Sequence, residues 1–172
     1  MKKLGLLFLN LLVSSTVFAQ ILNQPANWPN PAWTLSGNYD PVGLLGDPSI
    51  DANFGYNDDT VSSSSTNDLL LATSPVIDLS AAIAGGESSL QLDFDYNYYL
   101  GLLFDLEWYD ADLGTWVNWN PIAENSTTTS AWCSSTIPYT ASILDVSGLT
   151  ANQQANFQYR FYYDGAGIFG WG

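Results

Sequence analysis

Three kinds of residue are absent or scarce in this sequence of 172 residues, and each absence removes a class of chemistry. There is no histidine, which excludes Ser-His and Cys-His nucleophile pairs and histidine-ligated zinc. Only three side chains are cationic against 17 that are acidic, so nucleic acid is a poor partner. The single cysteine, Cys133, cannot form a disulfide within the chain. Most enzyme classes are thereby excluded, and we expect no catalytic residues.

Residues 1–19 have the pattern of a secretory signal peptide. Two lysines precede an apolar run that ends in small residues, which predicts cleavage between Ala19 and Gln20. The product is then expected to be secreted or held on the outer cell surface. Loss of both lysines leaves Arg160 as the sole cation and a net charge of 1 − 17 = −16. No second apolar stretch of about 20 residues follows, so no membrane insertion is predicted.

The remaining 20–172 segment has the composition of one folded domain. Hydrophobic residues make up 47% of the chain and aromatic residues 15%, which is enough for a packed core. Apolar and polar residues alternate over 90–98, and a second alternation sets Leu102, Phe104, Leu106 and Trp108 against Asp105 and Glu107. A period of two predicts half-buried strands. The segment 110–115, DADLGT, reads as the hairpin turn into the next strand. No apolar spacing typical of a helix continues over a dozen positions.

A last alternation predicts a core strand near the end of the sequence. Phe157, Tyr159, Phe161 and Tyr163 share one face, so Arg160 lies on the other, where we expect it to pair with an acid. Together the patterns predict an all-β fold, an antiparallel two-sheet jelly-roll sandwich.

The acidic residues suggest a calcium site. Fourteen of the 17 acids are aspartates, and they cluster with Gly, Asn and Ser in loops. Calcium takes six to eight oxygen ligands, often from several loops, although solvated turns are the alternative. The candidate ligands flank or lie in the long polar segment 46–68: Asp40, Asp58, Asp59 and Asp68. The DADLG stretch resembles the opening of a calcium loop, but its twelfth position is Pro121 rather than glutamate, which favours a plain hairpin turn.

Tryptophans are the candidate ligand-binding residues. Trp28, Trp33 and Trp132 lie in predicted loops and are expected to be exposed. By contrast, Trp108, Trp116 and Trp119 flank the hairpin, and we expect core packing for them, with stacking on sugar rings as the alternative.

Paired carboxylates are the one hydrolytic chemistry left open. Asp105 and Glu107 share a strand face, and a glycoside hydrolase needs only two such groups. The segment 105–110, DLEWYD, lacks the first Glu of the Glu-x-Asp-x-(x)-Glu motif found in laminarinase-type jelly rolls, and the order of its acids differs. A solvent-facing sheet surface is therefore the favoured interpretation of these acids.

Several short motifs occur in a recognisable order. SPVIDLS at 74–80 is followed by LQLDFDY at 90–96 and by FQYRFYYDGAGIFGW at 157–171. Over residues 27–172 this order resembles the jelly-roll adhesin domains of Bacteroidetes surface proteins, which include the MAM-like, choice-of-anchor and cleaved-adhesin groups. In those domains a closing strand follows the last motif, so the resemblance implies a C-terminally incomplete domain whose sequence continues past Gly172.

The resemblance also implies a function. It predicts a non-catalytic adhesion module for a glycan or protein ligand, with Ca²⁺ as a structural ion and export by the type IX route. Two alternatives are a carbohydrate-active enzyme, or its carbohydrate-binding module, and a passive spacer domain.

Overall fold

The computed structural model describes residues 26–57, 60–61, 68–99, 103–125 and 136–165. Cys133 therefore lies outside the described residues. Within the described ranges the chain forms eleven short strands and two single-turn α-helices. The strands are β1 (Thr34–Tyr39), β2 (Leu44–Gly46), β3 (Gly55–Tyr56), β4 (Asp68–Thr73), β5 (Ser89–Leu90), β6 (Asp93–Tyr96), β7 (Leu103–Asp110), β8 (Thr115–Pro121), β9 (Ile137–Thr140), β10 (Leu144–Asp145) and β11 (Tyr159–Asp164). The helices are α1 (Ser80–Ala84) and α2 (Ala151–Ala155).

Five of the strands form one antiparallel sheet in the order β1-β4-β11-β7-β8. Its middle strand is β11, the strand predicted from the last alternation. Tyr159, Phe161 and Tyr163 are each at most 5% exposed, whereas Arg160 and Tyr162 point to the opposite face. The period of two therefore determines which side of this sheet meets the core.

Smaller strand pairs form a second layer over the inner face of the five-stranded sheet. β6 pairs with β9 and β5 pairs with β10, both antiparallel. Phe94 of β6 meets Phe161 edge to face at 5.1 Å between ring centroids, and Tyr139 of β9 lies 5.1 Å from Phe94. Such contacts between rings contribute beyond the area they bury. The prediction of an all-β, antiparallel fold is confirmed, while the jelly-roll connectivity stays a prediction.

The third pair, β2 with β3, shows where the sequence was misleading. Residues 46–68 read as one polar loop, yet Tyr56 of β3 is only 2% exposed and contacts Tyr163 of β11 at 5.9 Å between ring centroids. Part of this segment is therefore core. The polar residues around it hide the signal, because a two-residue strand is too short to show a period.

Helix α2 was also missed, for a physical reason. It buries none of its residues, so it has no apolar stripe that a pattern could detect. It begins with a capping box: the Thr150 hydroxyl accepts a hydrogen bond from the Gln153 N–H, and the Gln153 side chain accepts one from the Thr150 N–H. In the part of the chain described here, no helix has the length and apolar character needed to cross a membrane.

Candidate functional site

Trp33 is buried, so the prediction that it is exposed is wrong. Only 3% of the residue is accessible, and its ring meets that of Tyr159 at 5.6 Å, with a T-shaped geometry. Its indole N–H donates to the Ala26 carbonyl oxygen at 3.1 Å. The loop before β1 therefore folds inward over the sheet, because the large Trp33 ring has apolar partners there.

Trp28, the second predicted ligand-binding residue, is half-buried at the edge of the same core. Its ring makes edge contacts with Trp33 at 5.6 Å and with Phe161 at 6.0 Å. Its Nε1 atom is buried and has no hydrogen-bond partner among the described residues. The third residue of this group, Trp132, lies outside the described residues.

Two of the four predicted calcium ligands lie at one end of the five-stranded sheet. Asp68 opens β4 opposite Tyr39, the residue that precedes Asp40. Asp40 Oδ1 accepts a hydrogen bond of 3.0 Å from the Val42 N–H, which caps a short 3-10 turn. Asp68 is 5% exposed, and Gly165 leaves room for it, since a Cβ there would lie 2.6 Å from Asp68 Oδ2.

The other two predicted ligands, Asp58 and Asp59, lie outside the described residues. Among those that are described, no three His, Cys, Asp or Glu side chains come together as a metal-binding group. The calcium site therefore stays a prediction, and the structure shows only that Asp40 and Asp68 lie at the same end of the sheet.

The DADLG turn between β7 and β8 is a hairpin turn, as predicted. Asp110 Oδ1 accepts hydrogen bonds from the Asp112 N–H at 2.9 Å, the Leu113 N–H at 3.1 Å and the Gln153 side-chain amide at 2.8 Å. The amide of Gln153 and these N–H groups hold the pKa of Asp110 below its usual value. Protein donors thus occupy this carboxylate and tie the turn to α2.

A different set of side chains comes together on the solvent side of the five-stranded sheet, and we call it the outer face. Strand register places Arg160 opposite Glu107 and Tyr162 opposite Asp105. It also places Glu107 opposite Asn118 on β8. The outer face consists of Asp105, Glu107, Tyr109, Trp116, Asn118, Arg160 and Tyr162.

Arg160 is the centre of the outer face. Its Nε lies 2.5 Å from Glu107 Oε2, which confirms the expected pairing with an acid. Its Cζ lies 4.3 Å from the Trp116 ring centroid and 5.5 Å from that of Tyr162. The two charged side chains are 14% and 15% exposed, so the pair is largely withdrawn from water, and its charge-assisted hydrogen bond is correspondingly strong.

Trp116 differs from the other two tryptophans of the hairpin. Trp108 and Trp119 pack against the main hydrophobic cluster, as predicted, whereas Trp116 is absent from both described clusters. Its ring contacts are on the outer face, with Arg160 and with Tyr109 at 5.2 Å. Trp116 and Trp119 are three positions apart on β8, so alternation along this strand already places the two rings on opposite faces.

Asp105 is the buried acid of the outer face. It is 5% exposed, and its Oδ1 has no hydrogen-bond partner among the described residues. Burial raises the pKa of Asp105, a hydrogen bond from Asn118 opposes that rise, and the neighbouring Glu107 adds to it. With Asp105 closed to solvent and Glu107 held by Arg160, these two carboxyls are poorly placed to contact a substrate.

A cavity of about 480 Å³ lies on the other side of the sheet, between its inner face and the second layer. Its described lining is dominated by aromatic side chains, among them Trp28, Phe54, Tyr56, Phe94, Tyr96 and Phe161. A few polar residues border it: Asn53, Asp95, Asn97 and Thr136. Arg160, on the opposite face of β11, is not part of it.

Comparison with protein-family models, with curated protein sequences and with solved structures gave no match for this chain. A function is therefore inferred from the outer face, from the aromatic cavity and from the resemblance in motif order.

Proposed function

We propose that this protein is a non-catalytic binding module, secreted or held at the cell surface, whose outer face binds a glycan. The observation that carries the proposal is the position of Trp116 and Tyr162. Both are large rings outside the hydrophobic clusters, and both lie beside Arg160 on a polar sheet face.

The chemistry of the outer face suits sugars. A pyranose ring presents patches of C–H groups, which pack on aromatic faces, and hydroxyls, which need planar polar partners. Trp116, Tyr109 and Tyr162 offer the rings, while Asn118 is exposed and offers an amide. Arg160 contacts two of these rings from a fixed position, and such preorganisation lowers the entropy that ligand binding costs.

Charge favours an uncharged glycan. The chain carries a net charge of −14, and Glu107 already holds the lone cation of the outer face. An acidic polysaccharide would therefore meet repulsion with no free cation to offset it. The resemblance to adhesin domains supports the same class of function.

The test is a glycan array followed by titration of the best neutral glycan. We expect Trp116→Ala to weaken binding about tenfold or more, which corresponds to about 1.4 kcal/mol. Ile50→Ala is the matched control, because Ile50 is a 73% exposed apolar residue elsewhere on the protein. Glycan binding that neither Trp116→Ala nor Tyr162→Ala changes would refute the proposal, and an array without any bound glycan would favour a protein ligand or a spacer.

Calcium as a structural ion is part of this proposal. Asp40 and Asp68 lie at one end of the sheet in a chain of net charge −14, and a bound cation would offset part of that negative charge. A ligand of the folded state stabilises it in proportion to its affinity. We expect the melting temperature to rise with Ca²⁺ and fall with chelator, more strongly than with Mg²⁺, and Asp68→Asn to reduce the difference. A melting temperature that does not respond to Ca²⁺ contradicts this part alone.

A further inference from the structure

We propose that the aromatic cavity between the two layers is a second binding site, and that it takes a compact quaternary ammonium compound. The site is separate from the outer face because the middle strand, β11, lies between them. Phe161 points into the cavity, while Arg160 and Tyr162 point away from it.

The size and lining of the cavity are those of a small-molecule site. Its volume of about 480 Å³ falls within the range of roughly 300 to 1,000 Å³ usual for ligand cavities, which are lined mostly by apolar and aromatic side chains with a few polar groups. Here the rings come from four places: the loop before β1, the segment around β3, which carries Phe54 and Tyr56, the five-stranded sheet and β6. Edge-to-face contacts of Trp28 with Phe54 and with Phe161, and of Phe94 with Phe161, hold the rings in place.

Charge excludes anionic ligands from this cavity. None of the described lining residues is cationic, and Arg160 is committed to Glu107 on the other side of the sheet. Asp95, an exposed acid, borders the cavity, and the chain as a whole carries −14. A carboxylate or phosphate would enter a negative field without a counter-charge, whereas a cation would be attracted.

The apolar lining then selects among cations. A primary ammonium or a guanidinium brings several N–H donors; the few polar residues lie at the border of the cavity, and donors buried among its rings without acceptors are costly. A quaternary ammonium has no N–H groups, and its positive charge is attracted to the faces of aromatic rings. Methylated ammonium is therefore the cation that a mainly aromatic cavity can desolvate at least cost.

The experiment compares choline with its uncharged isostere, 3,3-dimethyl-1-butanol, and with benzoate as the anionic probe. Binding is measured by calorimetry and by the proton resonance of the trimethyl group, which aromatic rings shift upfield when the group lies against them. We expect saturable binding of choline, at least tenfold tighter than that of the isostere, with an upfield shift. We expect no binding of benzoate.

Two variants locate the site. Phe54→Leu removes a half-buried ring from the lining, and we expect it to weaken choline binding at least fivefold. Trp116→Ala changes only the outer face and should leave choline binding unchanged, so failure of this site and failure of the glycan site can be told apart. Equal binding of choline and its isostere, tighter binding of benzoate, or no shift of the trimethyl resonance with the unaltered protein would each overturn the proposal.

Discussion

Substitution of Arg160 by methionine measures what the lone cation contributes to the fold. Methionine keeps an unbranched side chain between Trp116 and Tyr162 but removes the charge. Glu107 then remains on the outer face, 15% exposed, with its partner gone. Burial of an acid without a compensating charge is destabilising, and the buried carboxyl of Asp105 lies two residues away on the same strand face.

The magnitude follows from two contacts. A hydrogen bond to a charged group contributes about 1.5 to 3 kcal/mol, and a cation over an aromatic ring adds roughly 0.5 to 2 kcal/mol, depending on its exposure. We therefore expect Arg160→Met to reduce the free energy of unfolding by about 2 to 5 kcal/mol. For a domain of this size that corresponds to a fall in melting temperature of about 4 to 20 °C.

Glu107→Gln completes a double-mutant cycle. We expect a coupling energy between Arg160 and Glu107 of about 1 to 3 kcal/mol, because residues in direct contact are not additive. The assay is urea denaturation at low and at moderate salt, where a largely buried pair should respond only weakly to ionic strength. A coupling below about 0.5 kcal/mol, the range of exposed ion pairs, would refute the argument that the pair is withdrawn from water.

Three further predictions concern the core, the buried acid and the sheet edge. Phe161→Ala should cost about 3 to 5 kcal/mol in a denaturant titration, and Phe161→Leu clearly less; equal losses would show that the ring contacts are unimportant. Because burial raises the pKa of Asp105 above 3.8, the folded protein keeps this proton to higher pH than the unfolded chain does, and stability falls as pH rises through that window. Asp105→Asn should therefore stabilise the protein at pH 7 and flatten its stability between pH 4 and 7, and an unchanged pH profile would contradict this. Gly37→Ala should cost about 1 to 3 kcal/mol, because Gly37 has φ of +112° and a Cβ there would press on the Leu69 carbonyl oxygen, whereas Gly148→Ala, with open space around it, should be neutral.

Much of the main sheet could be predicted, because strand patterns are local. The alternation around Phe161 identified the middle strand and placed Arg160 on the opposite face, and both were confirmed. The hairpin turn at Asp110 could be read from its residues, since the groups that hold it lie within four positions, apart from Gln153.

The errors concern residues whose surroundings are set by distant segments. Trp33 lies in a Pro- and Asn-rich stretch that suggests exposure, but its ring contacts Tyr159, more than 120 positions further along the chain. Tyr56 likewise lies in a polar segment and is buried by Tyr163. Local composition carries no information about such partners, because they become neighbours only when the sheet forms.

In the two candidate sites, too, some features follow from local sequence and others depend on distant segments of the chain. The sequence by itself determined the all-β class, the faces of the long strands and the surplus of acids over cations. Only the tertiary structure decided which acid meets Arg160, which tryptophan stays outside the core, and which rings enclose the cavity. The physical reason is that alternation assigns a residue to a face through its own backbone geometry. Its neighbours on that face depend on strand order and register, which are determined by the fold of the whole chain.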